Sequence, residues 1–150
     1  MMEKIAYRLN RSSDVEITVH LLRADATFEP ALCSRVNIPT YAKKLRDRAV
    51  RFEAWQGDEL VGLVASYCNE LDRGTAFVTS VSVRPEFQGQ GIAGRLMRQC
   101  IEHVRGLGFV QIELEVDQSS LPAVGLYQML GFNTLVSNGS RLTMNLKLGR

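Results

Sequence analysis

Cysteine and histidine are scarce in this chain. Its 150 residues hold three Cys (Cys33, Cys68 and Cys100) and two His (His20 and His103). The cysteines are far apart, odd in number, and form no Cys-x-x-Cys, so neither a disulfide framework nor a zinc site is expected, and no metal. Charge of one sign is scarce as well. The 18 Lys and Arg stand against 16 Asp and Glu, a net charge of +2. That is too little for a strong electrostatic hold on nucleic acid. The densest basic group, Arg46, Arg48 and Arg51, is diluted by Asp47 and Glu53 and reads as a solvated helix end. No apolar run approaches bilayer length. The start, Met1-Met2-Glu3-Lys4, lacks the apolar stretch of a signal peptide. A cytoplasmic protein with no nucleic-acid or membrane partner is the expectation.

What remains describes one domain, residues 1–150. A hydrophobic fraction of 45% and a charged fraction of 23% are those of a globular protein. A chain of this length buries a core without covalent staples. No internal repeat, linker or low-complexity tract interrupts it.

Periodicity sets the expected elements. Residues 16–23 (EITVHLLR) alternate and read as a strand. Residues 27–49 read as two short helices bent near Pro39, because a proline disfavours helix at the residue before it. Residues 50–56 alternate as a strand, 57–59 form a turn, and 60–68, apolar on both faces, form a central strand. Residues 71–74 are a loop, and 75–83 a further strand. An amphipathic helix over 91–107 follows, with Ile92, Leu96, Met97, Cys100, Ile101 and Val104 on one face. Cys100 is then a small buried hydrophobe, and His103, off that face, a surface residue. Residues 109–116 form a strand and 120–130 a second helix that stops at Gly131. Asn138-Gly139 marks a C-terminal hairpin whose last strand carries Leu142, Met144, Leu146 and Leu148 on one face. That strand could also pair with a second copy, which leaves room for a homodimer. The order predicts an α+β fold, three layers around a mixed, mostly antiparallel sheet with one parallel β-α-β crossover.

The most informative stretch joins the strand at 75–83 to the helix at 91–107. It reads Val81-Ser82-Val83-Arg84-Pro85-Glu86-Phe87-Gln88-Gly89-Gln90-Gly91-Ile92-Ala93-Gly94. Glycines at a strand-to-helix turn let backbone N–H groups approach a ligand. The helix N-terminus adds a partial positive charge, and together they suit phosphate or pyrophosphate. Arg84, Arg95 and Arg98 are near enough in sequence to add to the field, or to form an ordinary solvated face.

Two patterns fit those letters. Gly89-Gln90-Gly91-Ile92-Ala93-Gly94 matches the dinucleotide fingerprint G-x-G-x-x-G. Against it, five residues separate the strand from the first glycine, and only one crossover follows where a dinucleotide fold repeats its unit. The second pattern, Q/R-x-x-G-x-G/A over Gln88 to Ala93, resembles the GNAT-type N-acetyltransferase superfamily. The preceding Val81-Ser82-Val83 and Pro85 look like that family's fourth strand. Leu114-Glu115-Val116, then Ala123 through Tyr127 to Gly131-Phe132, look like its fifth strand and last helix. The resemblance covers nearly the whole chain.

The resemblance implies the acyl-CoA N-acyltransferase fold and acetyl-CoA as co-substrate. Backbone groups of Gln88, Gly89, Gln90, Gly91, Ile92, Ala93 and Gly94 would cradle the pyrophosphate. Val81, Ser82 and Val83 would bond the pantetheine arm between splayed strands, with the Val83 N–H polarising the thioester. Tyr127 matches the tyrosine that protonates the leaving thiolate, though its helical face also suits a packed core tyrosine. Two departures stand out. Ser120 replaces the family's common Asn at the start of the last helix, where it could bond the cofactor or simply cap the helix. The strand at 75–83 has no acid to act as base. Glu113 and Glu115, on one face of the next strand, are the nearby carboxylates, and the base stays unassigned.

The acceptor pocket would lie along residues 28–41 and 69–74, with Phe28, Tyr41, Trp55 and Tyr67 as pocket or core aromatics. A small-molecule primary amine is the default acceptor, and a protein N-terminus or lysine the alternative. A module that binds acyl-CoA without turnover is the non-enzymatic alternative.

Overall fold

The computed structural model describes residues 4–69 and 74–149. In chain order the elements are β1 (Ile5–Leu9), α1 (Asp14–Ala24), α2 (Ile38–Arg48), β2 (Val50–Gln56), β3 (Glu59–Tyr67), β4 (Thr75–Val83), α3 (Ile92–Gly106), β5 (Gln111–Asp117), α4 (Leu121–Met129), β6 (Asn133–Asn138) and β7 (Arg141–Lys147). Short 3-10 turns occupy Asp25–Thr27, Leu32–Ser34 and Pro85–Phe87. The seven strands form one sheet in the order β1-β2-β3-β4-β5-β7-β6. All its pairs are antiparallel except β4–β5, which α3 bridges as the crossover. A doubly wound dinucleotide fold is thereby excluded.

Each face of the sheet carries its own core. On one face α3 and α4 pack Ile92, Leu96, Met97, Cys100, Val104 and Tyr127 against Val61, Val64, Val78, Ile112, Leu114 and Met144. On the other, α1 and α2 pack Ile17, Leu21, Ile38, Ala42 and Leu45 against Trp55, Leu60, Leu63 and Ala65. The strands in the middle are therefore buried on both sides, and Leu60 through Ser66 show no exposed residue.

The N-terminal third differs from the periodicity reading. Residues 16–23 lie in α1, not in a strand. Ser13 caps that helix in a reciprocal box, its hydroxyl accepting from the Glu16 N–H and the Glu16 carboxylate from the Ser13 N–H. The box, together with Ile17, His20, Leu21 and Ala24 buried at helical spacing, outweighs the alternation of Ile17, Val19 and Leu21. The first strand is Ile5–Leu9 instead. Residues 27–49 hold one α-helix rather than two. Asn37 caps α2 by accepting from the Thr40 N–H, and Pro39 sits in the first turn, where its missing N–H costs nothing.

Three smaller readings change too. Arg51 is not on a solvated helix end but buried on β2, beside the fully buried Glu53. His103 is half-buried, edge-on to Phe52. β7 has β5 on one side and β6 on the other, so the free edge belongs to β6, not to the last strand. Cys100 is buried as expected, and burial pushes its thiol up to about 12. The loop read at 71–74 lies, Gly74 apart, outside the described residues. No helix among the described residues is long and apolar enough to cross a membrane.

Candidate active site

The site begins where a strand pair ends. β4 and β5 pair from Thr75↔Gln111 to Val78↔Leu114 and no further. Beyond that point residues 79–83 and 115–117 part. A bulge marks the divergence, for β3 pairs Ser66 with Val78 and Ala65 with Ser80, leaving Thr79 between. The gap is a cleft of about 140 Å³. Residues 78–81 and 114–117 form its edges, Ser120, Ala123 and Tyr127 reach it from α4, and Thr27, Phe28, Glu29 and Arg35 from the α1–α2 connection. The cleft is thus lined from both faces of the sheet.

Strand alternation presents β4 to that gap. The Arg84 N–H donates to the Val61 carbonyl on β3 at 2.9 Å, so the backbone groups of Val83 and Val81 face away from β3. The Gln88 amide accordingly donates to the Val83 carbonyl at 3.3 Å. Ser82 faces the other layer. His20 Nδ1 lies 3.2 Å from the Leu60 carbonyl, which can only accept, so Nδ1 carries the proton and Nε2 accepts from the Ser82 hydroxyl at 2.9 Å. Burial, helped by the charge of Arg84, lowers the His20 pKa to about 4. The Ser82 side chain is therefore engaged beneath the strand, and its backbone groups, alternating with those of Val81 and Val83, face β3 rather than the gap.

The glycine turn stands at the end of β4. Gly89 and Gly91 have φ of +80° and +79°, and a Cβ at either would meet nothing within 4 Å. Backbone conformation, not crowding, demands glycine there. Gly91 is the N-cap of α3, so the amides of Ile92, Ala93 and Gly94 have no intrahelical acceptor. Gln90 is exposed beside them. The nearby arginines divide. Arg84 is buried, its guanidinium 2.7 Å from Glu59 and 3.1 Å from Glu86. Arg95 lies over the Tyr7 ring at 3.9 Å. Arg98 rests against Gly94, with Nη1 3.3 Å from where a Cβ would stand. Neither Arg95 nor Arg98 has a carboxylate partner among the described residues.

Ser120 is the N-cap residue of α4, but its side chain accepts no capping bond. It lines the cleft instead. Tyr127 is buried, its ring 5.9 Å from Phe132, and burial raises its phenol above the ordinary value. Tyr127 both packs in the core and lines the cleft. The two candidate carboxylates separate. Glu113 pairs with Phe77 in the closed part of the ladder, whereas Glu115 lines the open part, 3.8 Å from Arg141.

Of the acceptor-side aromatics, Phe28 lines the cleft. Trp55 is core, its indole N–H donating to Glu53 at 3.1 Å. Tyr41 and Tyr67 stand behind β4, the Tyr41 hydroxyl bonded to Thr79. Residues 70–73 of the loop assigned to the pocket lie outside the described residues. Glu29 and Arg35 fall within the stretch 28–41 assigned to the acceptor pocket, whereas Ser80 and Arg141 escaped the sequence reading, for neither belongs to a motif.

Comparison with known proteins agrees with this fold. The model of the acetyltransferase (GNAT) family matches residues 18–132. The alanine N-acetyltransferase of ribosomal protein bS18 from Escherichia coli is 30% identical over 94 residues, 63% of this chain and 62% of that protein. A GNAT-family acetyltransferase structure from Desulfovibrio desulfuricans superposes with a TM-score of 0.78 at 16% identity, covering 97% of this chain and 100% of that one. The PaiA N-acetyltransferase of Thermoplasma acidophilum, solved with coenzyme A, gives a TM-score of 0.73 at 14% identity, covering 96% and 99%.

Proposed function

This chain belongs to the GNAT acetyltransferase family, and we propose that it transfers the acetyl group of acetyl-CoA to a primary amine. One observation carries the proposal. The strand pair that parts beyond Val78 and Leu114 has Tyr127 in the gap and the Gly89–Gly91 turn at the end of the same strand.

In this reading the amides of residues 88–94 hold the pyrophosphate, and Arg98 adds charge beside them. Gly89 and Gly91 supply an open, left-handed turn into which a phosphate fits without displacing a side chain. The pantetheine arm takes the place of the missing ladder, bonded to the backbone of Val81 and Val83. Ser120, whose hydroxyl caps nothing, bonds the cofactor from α4.

The amine enters from the α1–α2 side and attacks the thioester carbonyl. An alkylammonium has a pKa near ~10, so a proton must first leave. Of the two carboxylates on the open strand edge, Asp117 already accepts from the Ser119 N–H and hydroxyl, so Glu115 is the one that can take it, directly or through one water. The Val83 N–H polarises the carbonyl as its oxygen gains charge. The carbon–sulfur bond of the tetrahedral intermediate breaks, and Tyr127 donates its proton to the departing thiolate. The raised pKa keeps Tyr127 protonated until that moment. The acylated nitrogen then gives its remaining extra proton to the Tyr127 phenolate, directly or through water, and an N-acetyl amide and coenzyme A result.

A small-molecule amine is the proposed acceptor, in keeping with the narrow cleft. A protein N-terminus is the second reading, favoured by the likeness to the bS18 alanine N-acetyltransferase. Turnover of acetyl-CoA over a panel of amino acids, amino sugars and short peptides tests both. Amide formed on amino acids or amino sugars supports the first, on peptide N-termini alone the second. Acetyl-CoA binding without turnover on any amine supports a binding module instead.

A further inference from the structure

The open half of β4 has one strand beside it instead of two. Beyond Val78 the ladder to β5 ends, while the ladder to β3 runs on from Ala65↔Ser80 to Gly62↔Val83. A backbone paired on one side only is the kind of segment that opens and shifts first unless something else restrains it. Yet a backbone donor that polarises a carbonyl has to be fixed before the reaction begins.

The restraint comes from behind, out of the layer of α1 and α2. At the start of the open half, the Tyr41 hydroxyl on α2 donates to the Thr79 carbonyl at 3.0 Å and lies 2.8 Å from the Thr79 hydroxyl. Toward its end, His20 on α1 stands between β3 and β4. Its Nδ1–H donates to the Leu60 carbonyl at 3.2 Å, and its Nε2 accepts from the Ser82 hydroxyl at 2.9 Å. His20 is 1% exposed and Ser82 4%, so water does not compete for these bonds. A neutral imidazole carries one donor and one acceptor on a rigid ring. It can therefore tie a carbonyl on one strand to a hydroxyl on the next. A serine bonded to a histidine can also be a nucleophile. Here neither residue lines the cleft, and both are sealed beneath the sheet. The pair is a brace.

We infer that His20 is a positioning residue for acyl transfer: through Ser82 it fixes the backbone of β4 so that the Val83 N–H points into the gap. The inference rests on the transferase reading for what that N–H does, though not for the brace itself. The link from side chain to donor is short. The Val83 N–H and the Ser82 carbonyl belong to one rigid peptide plane and point opposite ways, the carbonyl to β3 and the N–H to the gap. A shift at Ser82 tilts that plane and with it the donor. Tyr41 steadies the same segment at Thr79.

Backbone ¹⁵N relaxation of the ligand-free chain tests the brace, with Ser82→Ala as the comparison. Order parameters at Val81 and Val83 should fall in Ser82→Ala, while those of Leu63 and Val64 on β3 stay at parent values. Equal values at all four positions overturn the brace. Turnover, and infrared spectroscopy of bound acetyl-CoA, test the role. Ser82→Ala should lower kcat about tenfold, as a misaimed donor does, with the Kd for acetyl-CoA unchanged. It should also move the thioester carbonyl stretch toward that of free acetyl-CoA, which a loss of stability alone would not do. His20→Phe and the double variant should match Ser82→Ala in kcat, because His20 acts through that hydroxyl. Additive losses overturn this route, and if His20→Phe does not fold, the Ser82→Ala readouts decide alone. A parent-like kcat and carbonyl stretch in Ser82→Ala overturn the positioning role. Failure of the parent chain to bind acetyl-CoA removes the transferase reading and the role with it, and the order parameters still decide the brace.

Discussion

Val78 and Leu114 are the last partners in the only parallel ladder among the described residues. Everything proposed for this chain depends on what happens beyond them. Their side chains belong to the core shared with α3 and α4, which anchors the closed end of the fork. The open end has no backbone partner until a ligand supplies one. A sheet interrupted in this way would leave buried donors and acceptors unpaired, a cost that proteins avoid unless the gap has a use.

Tyr127→Phe keeps the ring and its packing but removes the proton. It should lower kcat about 10²-fold, the usual contribution of a general acid. The Kd for acetyl-CoA should stay at the parent value, as measured by calorimetry. A kcat equal to that of the parent would reduce Tyr127 to a core residue.

Glu115→Gln should lower kcat/KM for the amine roughly tenfold or more and remove the acidic limb of its pH profile, because a group that takes the proton has to be ionised. Glu113→Gln provides the control, since Glu113 sits beside Phe77 in the closed ladder. Equal effects of the two variants would mean that neither carboxylate is the base.

His20 makes stability depend on pH. Its folded pKa is lowered from 6.5 to about 4, so between those values the unfolded chain binds the proton and the folded chain does not. The stabilisation is complete above pH 6.5 and is lost as pH falls toward 4. At 1.36 kcal/mol per pKa unit the loss is about 3 kcal/mol. Denaturant unfolding at pH 7 and pH 4.5 should show it, and His20→Gln should flatten much of the difference. The same slope in His20→Gln as in the parent would place the effect on other groups.

Glu53→Ala should be among the most damaging core changes. Glu53 accepts hydrogen bonds from the Arg11 N–H, the Ser12 N–H and hydroxyl and the Trp55 indole, and lies 3.4 Å from Arg51. Removing it strands the buried Arg51 guanidinium, at a cost of about 3–5 kcal/mol. Thermal unfolding should fall by about 10 °C or more. A shift of a degree or two would mean that water reaches Arg51.

The two halves of the chain were unequally legible. From β2 onward, periodicity and punctuation agree. Thr75–Val83 ends at a proline, α3 has a continuous apolar face, and Asn138-Gly139 closes the hairpin. In residues 16–23 two periods coexist, because Ile17 and Leu21 satisfy both strand and helix spacing. The deciding signal was present one step upstream, in the Ser13-x-x-Glu16 capping box. Arg51 shows a different limit. Only the fold reveals that a carboxylate two residues away on the same strand face can carry an arginine into the interior.

The site divides in the same way. The glycine turn and Tyr127 lie in contiguous motifs and are visible in the sequence. Glu113 and Glu115 share a strand face, and only the end of the ladder distinguishes them. Tyr41 on α2 and Thr79 on β4 meet only at the bulge, so no spacing in the chain points to them.

Calorimetric titration of the purified protein with acetyl-CoA, alongside Gly91→Val and with NAD in parallel, tests the central claim most directly. The account predicts one saturable site for acetyl-CoA and none for NAD. In Gly91→Val the binding should weaken roughly tenfold, as a β-branched residue resists the left-handed conformation by about 1–2 kcal/mol. No binding of acetyl-CoA by the parent chain would contradict the account at its root.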